Sequence, residues 1–371
     1  MKIGIITMHR VVNYGSALQA FALQKTIESL GHSAKLIDYS YGTNKYSKKP
    51  IKRVVDWFKQ LLLGFSQTKV LNKFNEFYNS YFNLTEQAYV DKESLQQNPP
   101  IFDSYITGSD QVWNPKFITD DTTFMLSFAP QGKPRLSYAA SFATNEIPIN
   151  LKELYSQQLA NYNQICVREQ SGITLVKELT GKDATVVCDP TLLLTAKEWE
   201  SVLKLKPQKT DKPYILVYVL SYMYNPYPYI NNIIKYVKDT LGYQVILLGG
   251  KVLNSFKVGG KCLRDRGPVD FVDLFRNASF VITDSFHGTA FASTFGIPML
   301  GVVKNKNSKD GRIITLLEKI GGVHSITEYK NTISHSKEEL LKLKCNQELL
   351  NEYREFSINT LNNMLNKFIQ E

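Results

Sequence analysis

Cysteine is scarce: the 371 residues hold four, Cys166, Cys188, Cys262 and Cys345, with no C-x-x-C pair. That excludes a zinc knuckle and a disulfide framework, and it points to a reducing compartment. Long apolar runs are missing too. No stretch approaches the roughly 20 residues that a spanning helix needs, and the opening MKIGIITMHR reads as a buried strand rather than a secretion signal. The expected location is cytoplasmic, at most peripheral at the inner membrane face. Histidine is also rare. Besides His287 there are His9, His32, His324 and His335, none at metal-ligand spacing with one another or with the cysteines. No metal and no cofactor are expected. Absent as well are the G-x-G-x-x-G turn, the P-loop, the G-x-S-x-G elbow and a D-x-D pair. The usual signals for NAD binding, NTP hydrolysis, serine hydrolysis and metal-dependent sugar-nucleotide chemistry are therefore lacking.

Acidic residues are outnumbered, 34 against 44 Lys and Arg, for a net charge of +10. Such an excess invites an anionic partner. It is concentrated between Lys45 and Phe74, where eight basic residues face the single acid Asp56 and are interleaved with Ile51, Val54, Trp57, Phe58, Leu61, Leu62 and Phe65. A basic amphipathic insertion at about 45–75 suits either an anionic lipid surface or packing of one face on its own domain. Nucleic acid is not expected, because charge alone does not account for the glycine-and-hydroxyl turns described next.

What the chain has is a repeated strand-and-turn cadence. KIGIIT, AKLIDYS, DSYITGSD, RLSYAAS, QICVRE and ATVVCDP are apolar segments that end in polar or glycine-bearing turns. After the charged, proline-bounded LKLKPQKTDKP (203–213) a second series follows: YILVYVLS, YQVILLGG, SFVITDS and PMLGVV, separated by helical patterns. The predicted class is α/β, with two Rossmann-like domains facing across a cleft. The boundaries are 1–200 for the first, 213–336 for the second, and a helical tail at 337–371 that packs back on the first.

In FVITDSFHGTAFASTFGIP (280–298) a buried strand gives way to a helix closed by Gly296 and Pro298. His287 falls at that junction beside Gly288 and Thr289, where helix N–H groups can hold phosphate or carboxylate oxygens. In the first half NYGSALQ sets Asn13, Tyr14, Gly15, Ser16 and Gln19 at a helix start, with Ser16 suited to capping.

These segments, NYGSALQAFALQ, ITGSDQVWNP, YAASFA, VREQSG, CDPTLLL and ITDSFHGTAFASTFGIP, resemble in their order the polysaccharide pyruvyl transferase family over about residues 1–320. The resemblance implies a GT-B-like glycosyltransferase architecture. It also implies transfer of the enolpyruvyl part of phosphoenolpyruvate to a sugar hydroxyl pair of a cell-surface polysaccharide precursor, lipid-linked or nucleotide-linked, giving a pyruvate ketal and phosphate. A GT-B glycosyltransferase using a sugar nucleotide is the alternative.

On the matching motifs, His287 is the candidate acid/base or phosphate ligand, and Arg168 a two-pronged clamp for carboxylate or phosphate. Some members carry arginine where Ser285 stands here, and lysine beyond GIP, for which Lys304 is the candidate. Arg312 is a compensating cation. Gly288 and Thr289 complete the donor side. The acceptor side adds Gly108, Ser109, Asp110, Gln111 and Trp113, with Asp110 accepting the proton of the attacking hydroxyl and Trp113 stacking on a pyranose.

Overall fold

A computed structural model describes residues 1–40, 68–118, 121–207, 212–221, 224–250, 252–306 and 311–368. Most of the basic insertion expected at 45–75 lies outside them. Among the described residues, 1–40, 76–193 and 354–368 cluster as unit 1, and 68–75 with 194–353 as unit 2.

Unit 1 is built on β1 (Lys2–Ile6), α1 (Tyr14–Ser29) and β2 (Ser33–Leu36). After α2 (68–81), in which the division between units falls, come α3 (Lys92–Gln97), β3 (Ser104–Thr107), β4 (Arg135–Ala140) and α4 (Ile149–Ala160). β5 (Gln164–Val167), α5 (Gln170–Thr180) and β6 (Thr185–Val186) finish the series. The six strands are parallel, in the order β2-β1-β3-β4-β5-β6. Strands covered on both faces read as unbroken apolar runs, and Ile3, Ile5 and Ile6 are wholly buried. α1 is buried almost all round. Its Ala17, Ala20 and Ala22 keep it slim, while Leu18, Phe21 and Leu23 fill the space on either side.

Unit 2 opens with α6 (Ala196–Val202) and continues through β7 (Tyr214–Tyr218), α7 (Ile230–Leu241), β8 (Gln244–Leu248), α8 (Val252–Val258) and β9 (Lys261–Leu263). Then come α9 (Pro268–Arg276), β10 (Phe280–Thr283), α10 (Phe286–Thr294) and β11 (Met299–Val303). α11 (Arg312–Lys319), β12 (Ile326–Glu328), α12 (Lys337–Leu341) and α13 (Gln347–Asn366) follow. The sheet is again parallel, ordered β12-β11-β10-β7-β8-β9. From residue 354 onward α13 belongs to unit 1: Arg354 Nε donates to the Leu192 carbonyl at 2.7 Å, and Ser357 Oγ accepts from Cys188 N at 2.9 Å.

In each sheet the strand order reverses at one place, between β1 and β3 in unit 1 and between β7 and β10 in unit 2. The connections on either side of such a point leave in opposite directions, which opens a crevice at the carboxyl ends of the strands. Both crevices hold residues that the sequence marked.

Candidate functional site

At the unit 1 switch point, Asn13 caps α1 by accepting from Ser16 N at 3.2 Å. Ser16, expected to cap, instead turns its hydroxyl to Asp110 in a very short bond. Asp110 holds the left-handed backbone, φ 73°, which a residue with a β-carbon adopts only when its surroundings enforce it. Here its second carboxylate oxygen accepts from Gln111 N at 2.9 Å. Gln19 Nε2 donates to Thr7 Oγ1, and Thr7 donates to the Ser109 carbonyl. Gly108 lies so close to β1 that a β-carbon there would come within 3.0 Å of the Thr7 β-carbon.

Ser109 Oγ and Arg168 Nη1 both donate to Asp189 Oδ2, each at 2.9 Å. Thr191 caps the other Asp189 oxygen through its N–H and its hydroxyl. Glu169, 3.7 Å from Arg168 Nε, accepts at 2.7 Å from Ser141 Oγ and at 3.0 Å from Phe142 N. Burial works against the charge of Arg168, but the Asp189, Glu169 and Asp110 carboxylates outweigh it and hold the guanidinium above its ordinary pKa.

Two expectations are corrected here. Arg168, with a side chain 2% exposed, is not a clamp open to a ligand but the cation of a buried carboxylate network. Trp113 is 0% exposed, packed against Phe142 and Tyr162 with its indole N–H on the Phe124 carbonyl, so it offers no face to a sugar. Gly15, Ser16, Gln19, Gly108, Ser109 and Asp110 are likewise buried, whereas Asn13, Tyr14 and Gln111 are half-buried and reach the surface.

Beside this network lies a group that sequence reasoning missed. Arg10, on the loop after β1, grips Asp38 with two prongs at 2.7 and 2.5 Å and lies over the Tyr78 ring, while His9 stands 3.8 Å behind the carboxylate. Burial pushes Asp38 up, yet His9 and Arg10 prevail and bring it from 3.8 down to about 2. A depressed carboxylate stabilises the fold above its unfolded pKa and loses that contribution as pH falls through the folded one. Stability is therefore expected to drop by about 2 kcal/mol between roughly pH 4 and 2 in the native chain, and Asp38→Asn should flatten that part of the denaturation-versus-pH curve.

At the unit 2 switch point, Thr283 Oγ1 donates to the Tyr218 carbonyl at 2.6 Å, tying the ends of β10 and β7 together. Ser285 caps α10 by accepting from Gly288 N at 3.3 Å, and Thr289 Oγ1 donates back to the Ser285 carbonyl. Gly288 has no alternative, since a β-carbon there would sit 2.3 Å from Thr283 Oγ1. This close packing sets the first turn of α10, and His287 with it, directly on the crevice; His287 is 9% exposed. Asp284 was overlooked. Its two oxygens accept from Leu220 N at 2.7 Å and from Ser221 N at 2.9 Å, and Ser221 is again left-handed, φ 56°. Burial raises the Asp284 pKa, and those two N–H bonds pull against the rise. Lys304 directly follows β11 at the same sheet edge and is exposed, and Arg312 opens α11, half-buried. The donor-side residues Ser285, His287, Gly288, Thr289, Lys304 and Arg312 thus share one unit, whereas Arg168 belongs to the other.

Among the described residues no group of three or more His, Cys, Asp or Glu side chains is arranged to hold a metal ion. Nor is any described helix long and apolar enough to cross a membrane.

Two doubly wound parallel units, each with polar side chains gathered at its switch point, define the GT-B-like fold, and solved structures share it. A UDP-GlcNAc 2-epimerase from Methanocaldococcus jannaschii matches 97% of this chain and 93% of its own at 11% identity, with a TM-score of 0.53. One from Neisseria meningitidis, bound to UDP-GlcNAc, matches 100% of each chain at 9% identity and TM-score 0.52. The enzyme from Rickettsia bellii matches 100% of this chain and 96% of its own at 11% identity and TM-score 0.51. No curated protein matches the sequence. The model of the polysaccharide pyruvyl transferase family matches residues 13–306, most of the chain, and the protein belongs to that family of transferases.

Proposed function

We propose that the enzyme transfers the enolpyruvyl group of phosphoenolpyruvate to a pair of hydroxyls on a glycan precursor, closing a pyruvate ketal and releasing phosphate. The observation that carries this reading is the position of His287 on the first turn of α10, at the unit 2 switch point of a chain in this transferase family. A helix N-terminus favours anions. With Ser285 occupied as the cap, Lys304 and Arg312 are the cations that supplement it.

A proton is delivered to the methylene carbon of phosphoenolpyruvate, and one sugar hydroxyl adds to the neighbouring carbon while giving up its proton. The C–O bond to phosphate then breaks, and the second hydroxyl adds, its proton leaving with the phosphate. His287 is assigned proton transfer or a hydrogen bond to the departing phosphate, and Asp110 acceptance of a hydroxyl proton. Arg168 is assigned a positioning role through Asp189 and Ser109. The acceptor is a lipid-linked or nucleotide-linked intermediate of capsule or exopolysaccharide, and the excess of positive charge suits peripheral contact with an anionic membrane surface.

Purified protein incubated with phosphoenolpyruvate and a glycan panel is expected to release phosphate and add a pyruvate-derived mass to one acceptor. Thermal stabilisation by UDP- or GDP-sugars, with no response to phosphoenolpyruvate, would instead establish a sugar-nucleotide enzyme.

A further inference from the structure

After β7 the sequence reads SYMYNPYPY, a run of tyrosines that the proposed proton transfers leave unused. Tyr224 Oη donates to the Val302 carbonyl at 3.0 Å, and Tyr329 N donates to the Val303 carbonyl at 3.0 Å, which fixes both at the carboxyl edge of the unit 2 sheet. The Tyr224 and Tyr329 rings lie 5.1 Å apart, tilted by 50°. Tyr229, at the start of α7, meets Tyr329 edge to face at 5.7 Å. Lys330 Nζ stands 5.3 Å from the centre of the Tyr229 ring and 5.5 Å from that of Tyr329. Tyr229 is nevertheless 46% exposed.

The cluster is within electrostatic reach of the crevice. Burial first, and then the Asp284 carboxylate, hold the Tyr224 hydroxyl above its ordinary pKa. Single exposed aromatics are commonplace, but here three rings pack together, two of them against one lysine, on the edge where this fold binds ligands.

We infer that Tyr229 and Tyr329 form a stacking subsite for a pyranose ring, with Lys330 meeting an anionic substituent of that ring or of its linker. The inference rests on the reading of the acceptor as a glycan. Phosphoenolpyruvate has no ring to stack, and Trp113 is sealed in the core of unit 1. The face of a pyranose is lined by C–H groups that suit the electron-rich face of a tyrosine. The phenol and ammonium groups at the rim can donate to hydroxyl and carboxylate oxygens.

Saturation-transfer NMR on the full chain tests this with the methyl pyranosides of glucose, galactose, mannose and glucuronic acid, and with uridine as comparison. Ring protons of at least one glycoside should be saturated. Tyr229→Ala should weaken that binding about tenfold, Tyr229→Phe should preserve it, and Lys330→Ala should weaken the glucuronide alone. Tyr229→Leu replaces the alanine variant if circular dichroism shows that one misfolded. No saturation by any of the four, saturation that ignores Tyr229, or saturation of uridine alone would each overturn the subsite. Because no phosphoenolpyruvate is present, a chain that binds a glycoside through Tyr229 yet never consumes phosphoenolpyruvate retains the subsite and refutes the reaction.

Discussion

His287→Ala is expected to lower phosphoenolpyruvate-dependent phosphate release by about 10²- to 10⁴-fold, the usual contribution of a positioned acid or base. The fold should survive. His287 lies on the first turn of α10, and that turn is held by Ser285, Thr283 and the absence of a side chain at Gly288. His287→Asn separates the two roles assigned to this residue. If the imidazole moves a proton, the asparagine variant falls as far as alanine and the pH–rate profile loses a limb. If it only steadies phosphate, asparagine keeps most of kcat and the defect appears in KM for phosphoenolpyruvate. A kcat/KM within about threefold of the native value in a folded alanine variant would remove His287 from the chemistry.

Arg168→Ala is expected to destabilise unit 1 by about 3–5 kcal/mol, the cost typical of stripping one member from a buried ion pair. The reason is the company it leaves behind. Asp189 and Glu169 would remain inside with their hydrogen bonds from Ser109, Thr191 and Ser141 but without the cation that offsets their charge. Arg168→Met combined with Asp189→Asn removes the pair together and should recover part of the loss. Urea unfolding followed by a probe in unit 1 reads both. A shift below about 1 kcal/mol for Arg168→Ala would show that the network does not depend on it.

Much of the architecture was legible because central parallel strands bury both faces and leave continuous apolar runs. The segments KIGIIT, DSYITGSD, RLSYAAS, YILVYVLS and SFVITDS each contain a strand of the structure. β9 and β12 were not foreseen, since three residues at a sheet edge carry too little pattern to stand out. Strand order, and with it the place of the two crevices, depends on pairings between distant segments that no local pattern encodes.

Site residues divided along the same line. His287, Asp110 and Ser16 were marked by their turns. Trp113 was misread because Asp110, Gln111 and Asn114 near it in sequence are polar while its neighbours in space are aromatic. Asp189 and Asp284 each follow the carboxyl end of an apolar segment, in VVCDP and FVITD. That position was the available signal, and it was given no weight. Asp38 becomes significant only when Arg10, 28 positions earlier, folds onto it.

The passage of α13 from unit 2 into unit 1 at residue 354 bears on how the protein is made. In unit 1 the partners of Cys188 and Leu192 are Ser357 and Arg354, translated more than 160 positions later. Residues 194–353, most of unit 2, are synthesised in between. These two groups of unit 1 must therefore wait for their partners until residues 354–357 have been made. A message broken or a chain clipped after residue 353 would leave unit 2 whole and the amino-terminal half permanently unfinished.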